Sequence, residues 1–356
     1  MPFFSTLRKN TNFDVSAAML QLTDYYTNFL RSYPEGADIV ETDTPTIIAC
    51  AKWCSLNNEH KALVNVAFGS YDILFSLGLF NERIETALLA TESAIKSEEL
   101  SLAAHFITVS ASTYTIIGNY SMAESELERG LRYAEESKDG LRIAYMKRCI
   151  SLNYYRQGYV NEACKPLFGL TKKLKKLIQD EHNLDRLNEL RHAYIDILAL
   201  IGAIEFFNKE YSSALTTFGD MLSACNEAEW KRAISYPLRD LGEIAMVYEN
   251  NFPKAYKHLT DALELAKDYR DYRQIGKIEL SLVKYMLYKN KLAKANQHFA
   301  SAYDLFMKMG LDNELEELEA LYNGKSSNPI AKKMHRLSFP FKKLQGYYGT
   351  KTIGGE

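Results

Sequence analysis

The stretch Ile201-Gly202-Ala-Ile-Glu-Phe-Phe-Asn208-Lys209-Glu-Tyr211-Ser-Ser-Ala214-Leu-Thr-Thr-Phe218 decides how this chain folds. Apolar residues recur at helical spacing on both sides of a polar Asn-Lys-Glu triplet, which reads as a tight turn. Tyr211, Ala214, Phe218 and Met221 share one face of the second helix, and the small Ala214 lets another helix approach closely. Gly202, next to Ile201, offers a second small position on the first helix. The stretch predicts a hairpin of two packed helices.

Working outward, the pattern of the second helix recurs six times. Its copies are Ile84/Ala87/Thr91/Ala94, Tyr120/Ala123/Leu127/Gly130, Val160/Ala163/Leu167/Leu170, Tyr211/Ala214/Phe218/Met221, Phe252/Ala255/Leu259/Ala262 and Leu292/Ala295/Phe299/Ala302. Successive alanines are 36, 40, 51, 41 and 40 residues apart. Small or polar pairs precede most copies: Gly118-Asn119, Gln157-Gly158, Asn208-Lys209, Asn250-Asn251 and Lys289-Asn290. An apolar-Gly pair appears in the helix before two of them, at Ile201-Gly202 and Leu241-Gly242. Self-similarity at such a period is the signature of a stacked repeat array.

These residues resemble the tetratricopeptide repeat. Its apolar-Gly in helix A, followed by Gly-x-Tyr-x-x-Ala and a Phe in helix B, is met almost fully at Ile201-Gly202…Tyr211-x-x-Ala214-x-x-x-Phe218. Gly118-Asn-Tyr120-Ser-Met-Ala123 also fits, whereas the Ile84 unit lacks the turn glycine, the usual closing proline is absent, and the period is nearer 40 than 34. The resemblance covers about residues 65–310 and implies an all-α, right-handed superhelical solenoid that binds a peptide or scaffolds a complex. Longer helices or longer loops would account for the period. The 51-residue interval reads as an insertion over Thr171–Leu190, a lengthened helix B meeting a lengthened helix A, with Pro166 kinking its helix.

Residues 1–64 fit the array poorly and read as an N-terminal cap of three helices. Val15, Met19, Leu22, Tyr26, Phe29 and Leu30 form the first stripe. Asp43-Thr44-Pro45 is expected as N-cap and first turn of the second helix, and Asn57-Asn58 as the turn to the third. Residues 65–322 are the array, closed by a polar-faced helix over Leu311–Tyr322, and 323–356 form a basic tail.

Composition narrows the function. In 356 residues, 18 Gly and 8 Pro are too few for a loop-rich or all-β fold. Net charge is −2, but residues 323–356 carry seven Lys or Arg against one acid, so the tail holds +6 and the body −8. The body is therefore no general nucleic-acid binder. Lys332, Lys333, Arg336, Lys342 and Lys343, interleaved with apolar residues, read either as a solvated tail or as contacts to an anionic membrane, nucleic acid or an acidic partner. Five cysteines, Cys50, Cys54, Cys149, Cys164 and Cys225, are an odd number set in apolar helical patterns; they read as reduced, mostly buried thiols of a cytoplasmic protein. Cys50 and Cys54 have no further Cys or His pair to complete a zinc site.

No phosphate-loop, dinucleotide, zincin or nucleophile-elbow motif occurs, and the seven histidines are scattered. Runs of Glu at 124–128 and 314–319 read as solvated helix faces. Catalysis, a cofactor, a metal and a small-molecule substrate are thus not implied. A helical array does offer a concave wall lined by its A helices. The repeat phase projects onto that wall His105, Thr108 and Ser112; Tyr145, Arg148, Leu152, Tyr155 and Arg156; Asp196, Ala199, Phe206 and Phe207. From the last two units it projects Tyr236, Arg239, Glu243 and Met246; Lys277, Lys284 and Tyr288. Among these, Arg148, Arg156, Arg239, Lys277 and Lys284 form a cationic strip suited to an acidic or C-terminal carboxylate group, flanked by Tyr145, Tyr155 and Tyr236. A non-catalytic protein- or peptide-binding scaffold is the first reading. The layout is also similar to that of bacterial peptide-pheromone receptors of the Rap type, which implies the alternative of a regulator whose array closes on a short peptide to control an effector protein.

Overall fold

A computed structural model describes residues 14–32 and 37–323, and every regular element in them is helical. Helices α1 (Val15–Ser32) and α2 (Ala37–Leu56) precede the array. Tyr26 and Leu30 of α1 are buried against Ile47, Cys50 and Cys54 of α2 and Leu63 and Val66 beyond it. Pro45 lies inside α2 rather than at its start: the helix already begins at Ala37, so the Asp43-Thr44-Pro45 signal marks no boundary. The Asp43 carboxylate instead accepts a hydrogen bond from the Tyr26 hydroxyl, 3.0 Å away.

The array proper begins at α3 (His60–Ser76), which runs through the expected division at residue 64, and α4 (Phe80–Lys96). It continues with α5 (Leu100–Ile116), α6 (Tyr120–Glu136), α7 (Gly140–Arg156), α8 (Val160–Leu167), α9 (Leu170–Asp180), α10 (Leu184–Phe207) and α11 (Tyr211–Glu227). A short 3-10 turn at Lys231–Ile234 leads into α12 (Ser235–Val247), then α13 (Phe252–Asp268), α14 (Tyr272–Tyr288), α15 (Leu292–Met309) and the capping helix α16 (Asp312–Asn323). Among the described residues no helix is long and apolar enough to cross a membrane.

The forty-residue period comes from helix length. Helices α4, α5, α6 and α7 have 17 residues each, joined by three-residue connections, so the extra length over the ordinary repeat is helical and not loop. Side-chain caps fix several starts: Asn119, Asp139, Asn251 and Asp271 each accept a hydrogen bond from a backbone N–H of the first turn. In the insertion, the helix ends at Leu167, one residue after Pro166, and Gly169 takes a left-handed conformation (φ 71°) before α9 starts. Proline thus ends the helix where a kink was expected, and the lengthened helix B is two helices. The following α10 is long, at 24 residues, as the reading required.

The small positions lie at helix crossings. A Cβ on Gly202 would sit 2.6 Å from the Phe218 ring, and Ala214, on the same helix as Phe218, is fully buried. On Gly242 a Cβ would meet Leu259 at 2.9 Å. Four thiols are buried, while Cys164 is exposed.

The array also closes on itself. Phe80 and Ile116, from the turns and ends of early hairpins, share one hydrophobic cluster with Met309, Leu311 and Leu315 from the C-terminal end. Asn313 donates to the Tyr120 hydroxyl at 2.9 Å, and Tyr272 donates to Glu41 at 3.2 Å. One superhelical turn therefore brings α14–α16 back against α2–α6.

Candidate functional site: a charged chamber enclosed by the A helices

Because the ends meet, the concave wall lines a central chamber that remains partly open to solvent. Two adjoining cavities of about 270 and 170 Å³ occupy it. Helices α3, α5, α7, α10, α12 and α14 present their inner faces to it. Tyr145, Arg148 and Tyr236 line the larger cavity, and Lys284 lines the smaller. Tyr155, Arg156, Arg239 and Lys277 border both. Of the other projected residues, Phe207 and Met246 are buried in the core and Tyr288 packs on Phe252, outside both cavities. The tail cations Lys332, Lys333, Arg336, Lys342 and Lys343 lie outside the described residues.

Most of the chamber's charges are spent on one another. Glu314 of α16, only 2% exposed, receives both terminal nitrogens of Arg156 at 2.8 and 2.9 Å, and Lys277 stands 3.8 Å away. Burial alone would raise the Glu314 carboxyl, but Arg156 and then Lys277 outweigh it and hold it at about 2. Lys284 reaches Glu243 at 3.3 Å and Glu317 at 3.0 Å. Arg239 pairs with Asp240 at 2.5 Å and donates to Gln274. Arg148 stands 3.9 Å from Asp196. Lys277 is pushed well below the ordinary lysine value, first by burial and then by Arg273, with Arg239 and Arg156 adding to it.

The flanking tyrosines are anchored to the wall. Tyr145 donates to the Glu189 carbonyl at 3.3 Å and Tyr236 to the Asp271 carboxylate at 2.7 Å, while Tyr155 meets Phe207 edge-on at 6.0 Å. Burial raises all three phenols, so they stay neutral hydrogen-bond donors.

Several lining residues escaped the sequence reading. Tyr71 and Phe75 come from α3, whose inner face was not projected at all. Arg142, 4% exposed, pairs with Glu189 at 2.7 Å and approaches His105 Nδ1 at 3.1 Å. A guanidinium only donates, so Nδ1 accepts and the imidazole is neutral with its proton on Nε2. Burial, then Arg142 and Arg83, keep His105 well below its ordinary value. Arg232 stands 3.7 Å from Asp72 across the closure and packs near Trp230, which stacks on His192 at 3.9 Å. Arg273 precedes Lys277 by one helical turn, so the spacing that selected Lys277 also selects it. Among the described residues no group of three or more His, Cys, Asp or Glu is placed to hold a metal ion.

No protein-family model and no curated protein sequence matches the chain. Solved structures do. A Rap protein complexed with competence and sporulation factor is 14% identical, and the alignment covers 90% of this chain and 87% of that one with a TM-score of 0.55. The chain shares its fold with Rap. Looser alignments reach aspartyl phosphate phosphatase F from Bacillus subtilis (14% identity, 92% and 84% covered, TM-score 0.47) and the apo form of RapI (15%, 87% and 84%, 0.41). The Rap fold is a helical-repeat solenoid, which agrees with the all-α array described above.

Proposed function

We propose that this chain is a non-catalytic peptide-binding regulator of the cytoplasm, which encloses a short peptide in its chamber and thereby controls a protein partner. One observation carries the reading: the array's ends meet, so the repeat wall faces a narrow, partly open central space in place of a broad groove. An open scaffold leaves its concave face accessible to a folded protein, whereas a chamber of this size admits a few residues of extended chain. The similarity in fold to a Rap protein complexed with competence and sporulation factor supports it. Pre-formed walls lower the cost of ordering a ligand, because Tyr145 and Tyr236 are already fixed by hydrogen bonds.

The test is to release and identify what copurifies. A receptor yields a short peptide in the acid-extracted, low-mass fraction, and returning that peptide changes the protein's radius of gyration in solution scattering. A scaffold yields a larger protein and no change in compactness, which would reverse the proposal. Arg148→Ala with Arg239→Ala should abolish capture of that peptide, and because it leaves Asp196 and Asp240 without their counter-charges it should also lower the melting temperature. Full recovery by the folded double variant would move the binding surface off these residues.

A further inference from the structure

The larger cavity is lined by eight lysine or arginine side chains and four carboxylates. All four carboxylates are committed: Asp72 to Arg232, Glu189 to Arg142, Asp196 to Arg148 and Asp240 to Arg239. Arg156 and Lys277 meet Glu314 from the capping helix. Two cations remain, Arg83 and Arg273, and neither has a carboxylate within ion-pair distance among the described residues. Both stand over the same ring, with guanidinium carbons 4.9 and 5.0 Å from the centroid of Phe75.

Their environments differ in a useful way. Arg83 is 6% exposed and rigidly held: Nε donates to the Tyr71 carbonyl at 2.8 Å, and Nη1 donates to the Val109 carbonyl at 3.0 Å and to Thr113. It supplies a fixed positive charge. Arg273 makes no hydrogen bond to any described residue, and its Nε is buried without a partner. Arg273 is part-buried and Nε is the one nitrogen of its guanidinium fork cut off from water, so that donor goes unmatched at a cost unless a ligand supplies an acceptor. Burial accordingly lowers Arg273 below the ordinary arginine value. An acceptor with two oxygens in one plane would satisfy that fork.

We propose that the chamber's ligand presents a carboxylate to Arg273, in the field of Arg83 and beside the ring of Phe75. This rests on the peptide-receptor reading and adds the chemistry of its anchor. The carboxylate is either an Asp or Glu side chain or the peptide's C-terminus. The anchor lies outside the strip of five cations expected from the sequence. It spans the seam where α14 returns to α3 and α4, so an anion seated there ties the two ends of the array together.

The experiment uses the full chain and four pools of randomised hexapeptides. The pools either contain Asp and Glu or carry Asn and Gln in their place, each with a free or an amidated C-terminus. Peptides retained through gel filtration are counted by mass spectrometry. The pool without any carboxylate should be retained about tenfold less than the best pool. Whichever single-carboxylate pool matches the best one identifies the source. Arg273→Gln, verified as folded by its melting curve, should remove the preference. Equal retention of all four pools by the wild-type protein, or an unchanged preference in the folded variant, overturns the carboxylate anchor and leaves the receptor reading standing. Retention of no pool overturns the receptor reading itself.

Discussion

Arg83 stands where the five later B helices carry alanine. Helix α4 starts at Phe80, and the fourth residue of α6, α8, α11, α13 and α15 is Ala123, Ala163, Ala214, Ala255 or Ala295, all fully buried. Searching for alanine places the first anchor at Ala87, one turn late, which is why the first interval reads 36; the helix starts are 40 apart. Ala87 is itself buried, so the sequence pattern had a real but displaced target. Elsewhere single residues behave as read. Gly202 and Ala214 sit on opposite sides of one crossing, and both Gly202→Ala and Ala214→Leu should overpack it by ~1–3 kcal/mol. Denaturant titration measures this, and neutral results at both positions would show that the crossing is not as close as described.

At the scale of elements, the connections follow one rule. The residue two before each B helix from α4 to α15 has a left-handed backbone: Gly78, Gly118 and Gly158, then Lys209, Asn250 and Asn290. The returns to A helices use Asn58, Glu98, Lys138 and Arg270 in the same way. Gly78 is therefore the turn glycine that the first unit had seemed to lack. Left-handed backbone costs a residue with a Cβ roughly 1–2 kcal/mol, so Gly118→Ala (φ 82°) should destabilise by about 1 kcal/mol. Lys209→Gly (φ 65°) should do the reverse, raising the melting temperature slightly because strain relief exceeds the added freedom of the unfolded chain. A fall in stability for Lys209→Gly would mean that the lysine side chain contributes more than its backbone loses. The insertion is the exception among elements: Pro166 and Gly169 stop one helix and start another, which leaves Phe168 94% exposed between them.

For the whole molecule, closure rests on contacts of long sequence separation, among them the apolar cluster joining Phe80 and Ile116 to Met309 and Leu311, and Arg156 with Glu314 is the most buried ion pair of these. Glu314 has a folded value of about 2, below its ordinary 4.5. Its contribution is therefore complete above about pH 4.5 and is lost as pH falls towards 2, on the order of 3 kcal/mol at most. Acid should open the ring before it melts the hairpins. Solution scattering between pH 5 and 2.5 should show the radius of gyration rising while helical circular dichroism persists. Glu314→Gln should shift the opening to neutral pH, because it leaves Arg156 and Lys277 without their counter-charge. If expansion and helix loss coincide in both proteins, the pair does not govern closure.

The sequence determined the repeat. Ala, Gly and aromatic residues at helical spacing fix which helix faces meet, since contacts between consecutive helices are local and only small residues fit the crossings. The repeat phase points several A-helix faces inward, but it misses the α3 face and projects Phe207, Met246 and Tyr288, which fall outside the cavities. Only the tertiary structure decided that the wall closes into a chamber. Closure is set by how small rotations add up over six hairpins, and no single repeat carries that sum. The same accumulation brings Glu314 to Arg156, 158 positions away, which turns an acid expected on a solvated face into a buried counter-charge. It brings Arg273 over Phe75 and so separates the cations that the fold consumes from those it leaves free, because pairing depends on partners too far along the chain for periodicity to reveal.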